Sequence, residues 1–265
     1  MRLLGAIVRA FWVVAIVMIP SLLLPDASQD SVELSLVVGA IIGVFTIFEY
    51  GAANPGFVDF RFAPPYNRFR VFTLAMQLIT VTLTCRAIEL RLLDFPVLEW
   101  ANGITMRLDF EGSPVTHAID TIFLKAEFSD QAALLLVYSA SASFAVGVGL
   151  TVVFALLLWL FHWPQDRANF NLWLNLPMLT VRQGVDVVKR LRRDALFNII
   201  LSVLLIYGLP YLPTYGFDWL STNTFESSQA IVWATTLWVF IPATLAMRAL
   251  AMLKIASIIR RAQRG

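Results

Sequence analysis

One cysteine, Cys85, stands in 265 residues, so no intramolecular disulfide can form and cysteine usage says nothing of the redox compartment. Two histidines, His117 and His162, are too few for a histidine-rich metal centre. Charge is scarce as well: 14% of residues are Asp, Glu, Lys or Arg, where a soluble domain carries about 25%. A net charge of +2 leaves no electrostatic footprint for nucleic acid. The sequence contains no Walker A, H-E-x-x-H, G-x-S-x-G or G-x-G-x-x-G pattern. Its methionines are dispersed, so no soft-metal path is indicated. Nothing calls for a cofactor, and enzymatic activity ranks behind the non-enzymatic readings.

What the chain has in excess is apolar residues, at 58% with a mean hydropathy of +0.73. They gather in six runs, roughly 5–24, 34–53, 71–90, 131–161, 195–215 and 229–252. About 20 apolar residues cross a hydrocarbon core as a helix. The runs are continuous rather than alternating, which rules out a closed barrel and leaves helices to satisfy the backbone in lipid. The expectation is an all-α polytopic integral membrane protein, one domain over 1–265 with six transmembrane helices. The fourth run spans 131–161 and is longer than one straight crossing needs, so tilt or projection absorbs the excess. The first run follows Arg2 and Arg9 like a signal peptide, but Pro25 stands where cleavage needs a small residue. A retained anchor is therefore expected.

Lys and Arg set the orientation. With the N-terminus inside, 15 of the 20 cations fall on the inner side, among them Arg61, Arg68, Arg70, Lys189, Arg190, Arg192 and Arg193. Arg91, Arg107 and Lys125 fall outside. Both termini are thus expected in the cytoplasm, with a bacterial inner membrane as the setting. Loop 54–70 is rich in Pro and Gly and reads as a turn with a basic anchor. The basic loop 162–194 ends in VVKRLRRD and reads as an interfacial helix entering the fifth span. Its cations suit anionic lipid, at about 1 kcal/mol each near the surface, or a docked cytoplasmic protein. The outer loop 91–130 holds a helix start at Ser113-Pro114, followed by an apolar stripe from Val115 to Ala126. A weaker amphipathic turn starts at Pro96. Two short amphipathic helices capping the bundle, or lying on the membrane, are expected there.

Ionisable groups inside spans are costly and so become functional candidates. Four occur: Glu49, Arg86, Glu89 and Arg248. Arg86 and Glu89 share a helix face by their i, i+3 spacing. Glu49 and Arg248 both approach the inner boundary, which suggests an interhelical ion pair. The third span carries a stripe of Thr73, Gln77, Thr80 and Thr84; the fourth carries Ser139, Ser143, Gly147 and Thr151; the sixth places Thr244 one turn before Arg248. These stripes fit a hydrated path, and they fit equally the small, hydroxylated contacts of packed membrane helices. Two functions follow. One is a membrane transport component for a small solute or ion, using the polar faces of spans 3, 4 and 6. The alternative is a non-catalytic accessory or assembly subunit of a larger membrane complex, with lipids and other subunits as partners.

Overall fold

The structure, a computed structural model, describes residues 2–25, 27–52, 56–92, 94–123, 128–161, 163–164, 172–176, 186–212 and 227–263. Of these, 84% are helical, and no strand occurs among them. Helices α1 (Arg2–Val17) and α2 (Ile19–Leu23) take up the first apolar run. They are followed by α3 (Gln29–Gly51), α4 (Tyr66–Glu89), α5 (Pro96–Leu108), α6 (Pro114–Phe123) and α7 (Asp130–Leu160). The short α8 (Leu172–Asn175) precedes α9 (Val187–Gly208), a 3-10 turn (Leu209–Tyr211) and α10 (Ser228–Ala262). Five helices are long and apolar enough to cross a membrane: α3, α4, α7, α9 with its terminal turn, and α10. This is the architecture of a helical integral membrane protein. The first run is shorter, because Pro20 follows Met18 where the helix turns from α1 into α2.

Local chemistry starts the helices. Ser28 Oγ accepts the Ser31 amide ahead of α3, Ser129 Oγ accepts that of Ala132 ahead of α7, and the Asp186 carboxylate accepts that of Val188 ahead of α9. Several helices outrun their apolar stretches. α9 begins at Val187, well before the apolar run, and α10 continues to Ala262, ten residues past it. Hydropathy marks the portion bathed in lipid, whereas a helix stops only where a breaker or a lost contact ends it. Val188 and Leu191 of the basic segment are buried in the protein with Met252 and Ile255 of α10, not laid on a membrane surface. The rest of the inner loop, 162, 165–171 and 177–185, lies outside the described residues, as do Ala126 at the end of the outer stripe and 213–215 at the end of the fifth run.

Helices α4, α7 and α10 pack against one another, and α9 packs against α10. Helix α3 pairs with α1, and this hairpin joins the rest mainly where α2 meets α4. Gly43 lets the two approach: a Cβ there would stand 2.9 Å from Val14 Cγ2. At one end of the bundle α5 and α6 lie over α7, with Val115 and Ala118 of α6 buried against Ala140, Trp238 and Val239. Tyr207 at the end of α9 donates to Gly112 O at 3.1 Å, fastening this cap. The other end, which carries the exposed cations Arg68, Arg192, Arg193, Arg260 and Arg261, is the basic end. Large apolar side chains point outward from the long helices, among them Ile41 and Phe48 of α3, Val152 and Trp159 of α7, and Phe197 and Leu204 of α9. Water would penalise such a surface, and hydrocarbon does not.

Candidate functional site

The polar stripes of spans 3, 4 and 6 meet only in part. Gln77 of α4 is fully buried and donates from Nε2 to Ser143 O at 3.2 Å. Ser143 Oγ donates onward to Thr235 O of α10 at 2.9 Å. Gly147, one turn beyond Ser143, makes room for this: a Cβ there would stand 2.4 Å from Val239 Cγ1 and 2.6 Å from Gln77 Nε2. Two turns toward the cap, Cys85 Sγ lies 3.1 Å from Ser139 Oγ, and both are buried. Thr73, Thr84 and Thr151 donate to carbonyls of their own helices at 2.8–2.9 Å, as hydroxyls in lipid-embedded helices do. Thr80 supplies the carbonyl that Thr84 uses. Thr244 also bonds its own helix, at Ile241 O, and takes no part in the junction. Thr235 joins it in Thr244's place.

The expected Glu49–Arg248 pair does not form. Arg248 Nε instead lies 2.6 Å from Asp59 Oδ2. Glu49 Oε1 accepts three backbone amides, Gly56, Phe57 and Val58, at 2.8–3.0 Å. The reason is the loop between α3 and α4, which turns back under the bundle and places its own acid, Asp59, against α10. Arg61 completes the clasp. Its guanidinium donates to Glu49 O, Tyr50 O and Ala52 O at 2.6–2.8 Å, supplying the carbonyls left open at the end of α3. That side chain is therefore spent on the fold rather than held out for lipid. The loop is sealed by rings: Phe60 contacts Tyr66 and Trp163, with centroids 4.6 and 5.5 Å apart. Asn175 of α8 pins it, with Phe60 N donating to Asn175 O at 2.6 Å and Phe62 N to Oδ1 at 3.1 Å. Phe60 has a left-handed φ of 54°, held by these contacts. Burial pushes the Asp59 carboxyl above the usual carboxylate range, and the positive charges of Arg248 and Arg70 offset this only in part.

Arg70 lies over the Tyr66 ring, 5.6 Å from its centroid. Arg190 and Arg193 approach Asp194 at 3.7 and 3.5 Å. Arg68, Lys189 and Arg192 are exposed and face the surroundings of the basic end.

A third polar region opens at the cap end. Arg86 donates to Leu23 O of α2, and Ser228 of α10 donates to the Glu89 carboxylate, so these two charges at the cap end of α4 each reach a different neighbouring element. Glu89 and Gln131 border two cavities. One, of about 500 Å³, is also lined by Ser28, Ser31, Ser228 and Gln229. The other, of about 640 Å³, is also lined by Arg91, Glu99, Asn102 and Tyr138. The serines that precede three helices, Ser28, Ser129 and Ser227, line the first cavity. Gln229 is 93% buried, and its Nε2 donates to Ser21 Oγ, Ser31 O and Ser35 Oγ at 2.8–3.2 Å. Its Oε1 has no hydrogen-bond partner.

Sequence reasoning missed Asp59, Asn175 and Gln229. Asp59 and Asn175 are polar residues in loops or short turns, and no periodicity marks them. Gln229 could have been flagged, because an amide at the start of an apolar span needs partners. No family model, curated protein or solved structure matches the chain.

Proposed function

We propose that the chain is a non-catalytic accessory or assembly subunit of a membrane complex rather than a solute path. The observation that carries this reading is the closure of the α4–α7–α10 junction. Gln77 occupies the space that Gly147 leaves, and Ser143 is spent on Thr235. Polar groups there bond one another across helices, as in tightly packed membrane bundles. In this reading the chain sits in a bacterial inner membrane with its basic end and both termini in the cytoplasm. The α1–α2 pair makes the sixth crossing, its 16 and 5 helical residues together spanning about 32 Å at 1.5 Å each. The outward apolar faces of α3 and α9 then meet lipid or partner helices.

The test is purification from native membranes in mild detergent. A stoichiometric partner that survives size exclusion and is lost on exchange into harsh detergent supports the subunit. A lone chain whose reconstituted vesicles pass a solute, with the flux abolished by Gln77→Leu, overturns it. Transport remains the second reading because one specific feature favours it: the cap-end cavity of about 500 Å³ that reaches the Glu89 carboxylate.

A further inference from the structure

We propose that the cap-end cavity binds a zwitterion, a primary ammonium beside an anionic group, such as the headgroup of an ethanolamine phospholipid or a free solute of that chemistry. The argument starts from Gln229. Its Nε2 is committed to three acceptors, among them the carbonyl of Ser31, which fixes which end of the amide is which. Its Oε1 is left without a donor although the residue is 93% buried. A buried amide oxygen without a donor is costly, so the site is completed by a group that donates. Glu89, which also receives the Ser228 hydroxyl, lies on the same wall, and a carboxylate favours a charged donor over a hydroxyl.

A bare cation does not fit. The N-termini of α3, α7 and α10 converge on the same cavity through Ser28, Ser129 and Ser227. Helix N-termini disfavour cations and favour anions. Ser28 and Ser129 accept first-turn amides of their helices, whereas Ser227 makes no such side-chain bond. The start of α10 is therefore the natural seat for the anionic group, with the ammonium toward Gln229 Oε1 and Glu89. At about 500 Å³ the cavity suits a small ligand, and its place at the end of the long helices is headgroup level. The site does not depend on the subunit reading.

The experiment uses the full chain in detergent, titrated with phosphoethanolamine, ethanolamine and phosphocholine, and the chain in nanodiscs of pure phosphatidylcholine or of phosphatidylcholine with phosphatidylethanolamine. The expected order is phosphoethanolamine above ethanolamine, with no binding of phosphocholine, whose quaternary nitrogen has no hydrogen to give. Saturable binding of free phosphoethanolamine identifies a solute site. Retention of phosphatidylethanolamine through purification, with protection from thermal unfolding only in the mixed nanodiscs, identifies a lipid site. Glu89→Gln should weaken either by tenfold or more. Gln131→Trp, at an exposed position bordering both cavities, should do the same by occlusion without touching the packed junction. Equal binding of phosphocholine, no binding by either route, or affinity unchanged in a folded Gln131→Trp protein overturns the proposal.

Discussion

Asp59 is held 2.6 Å from Arg248 and yet keeps its proton more readily than a free carboxyl, because burial outweighs the neighbouring cations. A group whose pKa is raised on folding stabilises the fold most at low pH. That contribution is complete below the ordinary carboxylate value of about 4 and is lost as pH rises through the folded value. Asp59→Asn should flatten this part of the stability profile. Arg248→Gln removes the main opposing charge, so the folded value climbs further and the loss extends to higher pH. The destabilisation by Arg248→Gln should thus be larger near pH 7 than near pH 5 in thermal unfolding in detergent. Equal losses at the two values would disprove the coupling. Glu49 is tested separately. Glu49→Ala strips the acceptor from three amides of loop 56–58, and a loss of about 2 kcal/mol is expected. Depth along a helix correctly brought Glu49 and Arg248 to the same end in the sequence reading. It paired them wrongly because the fold-back that inserts Asp59 is built from long-range contacts to Asn175 and Trp163, which no spacing rule encodes.

At the scale of elements, two glycines two residues apart on α7 make opposite predictions. Gly147 faces Val239 and Gln77 at distances no methyl can share, while nothing lies within 4 Å of a Cβ at Gly149. Gly147→Ala should cost about 1–3 kcal/mol by forcing the junction apart. Gly149→Ala should be neutral or stabilise by up to about 1 kcal/mol, since alanine is the better helix former. Paired melting curves in one detergent decide it, and equal effects would mean that α7 does not present Gly147 to the junction. The two positions also show what could be read in advance. Apolar runs announced the long helices because lipid exposure is a property of local composition. The i, i+4 recurrence of Ser139, Ser143 and Gly147 announced a packed face. The partners of that face were less legible: Thr235 takes the place assigned to Thr244, because the rotation of α10 is set by its contacts with α4, α7 and α9 together. Helix ends were the least legible, since α10 runs on to Ala262 after its apolar stretch is spent.

For the whole molecule, the outward apolar faces of α3, α7 and α9 suit a bilayer, and its two ends differ in charge. The basic end exposes Arg68 in the first turn of α4 and Arg260 and Arg261 at the end of α10, while the cap end exposes Asp109 and Glu111 between α5 and α6. Cations are retained on the side of synthesis, so the cap should be the translocated face. Accessibility labelling can read this directly, because Cys85 is fully buried and bonded to Ser139, and Cys85→Ala gives a background with no reactive thiol. In that background Arg68→Cys and Gln263→Cys should react with a membrane-impermeant reagent only after the membrane is opened, and Glu111→Cys should react in intact cells or right-side-out vesicles. The three positions are exposed and lie away from the packed junction, so folding is not at issue. The odd number of long helices makes the pattern informative. With α1–α2 as a sixth crossing, both termini share the basic side, and a cysteine placed at Leu4, exposed on α1, labels with Arg68. Labelling of Leu4→Cys together with Glu111→Cys would mean that α1 does not run beside α3, where Arg9 lies over the Tyr50 ring at the basic end.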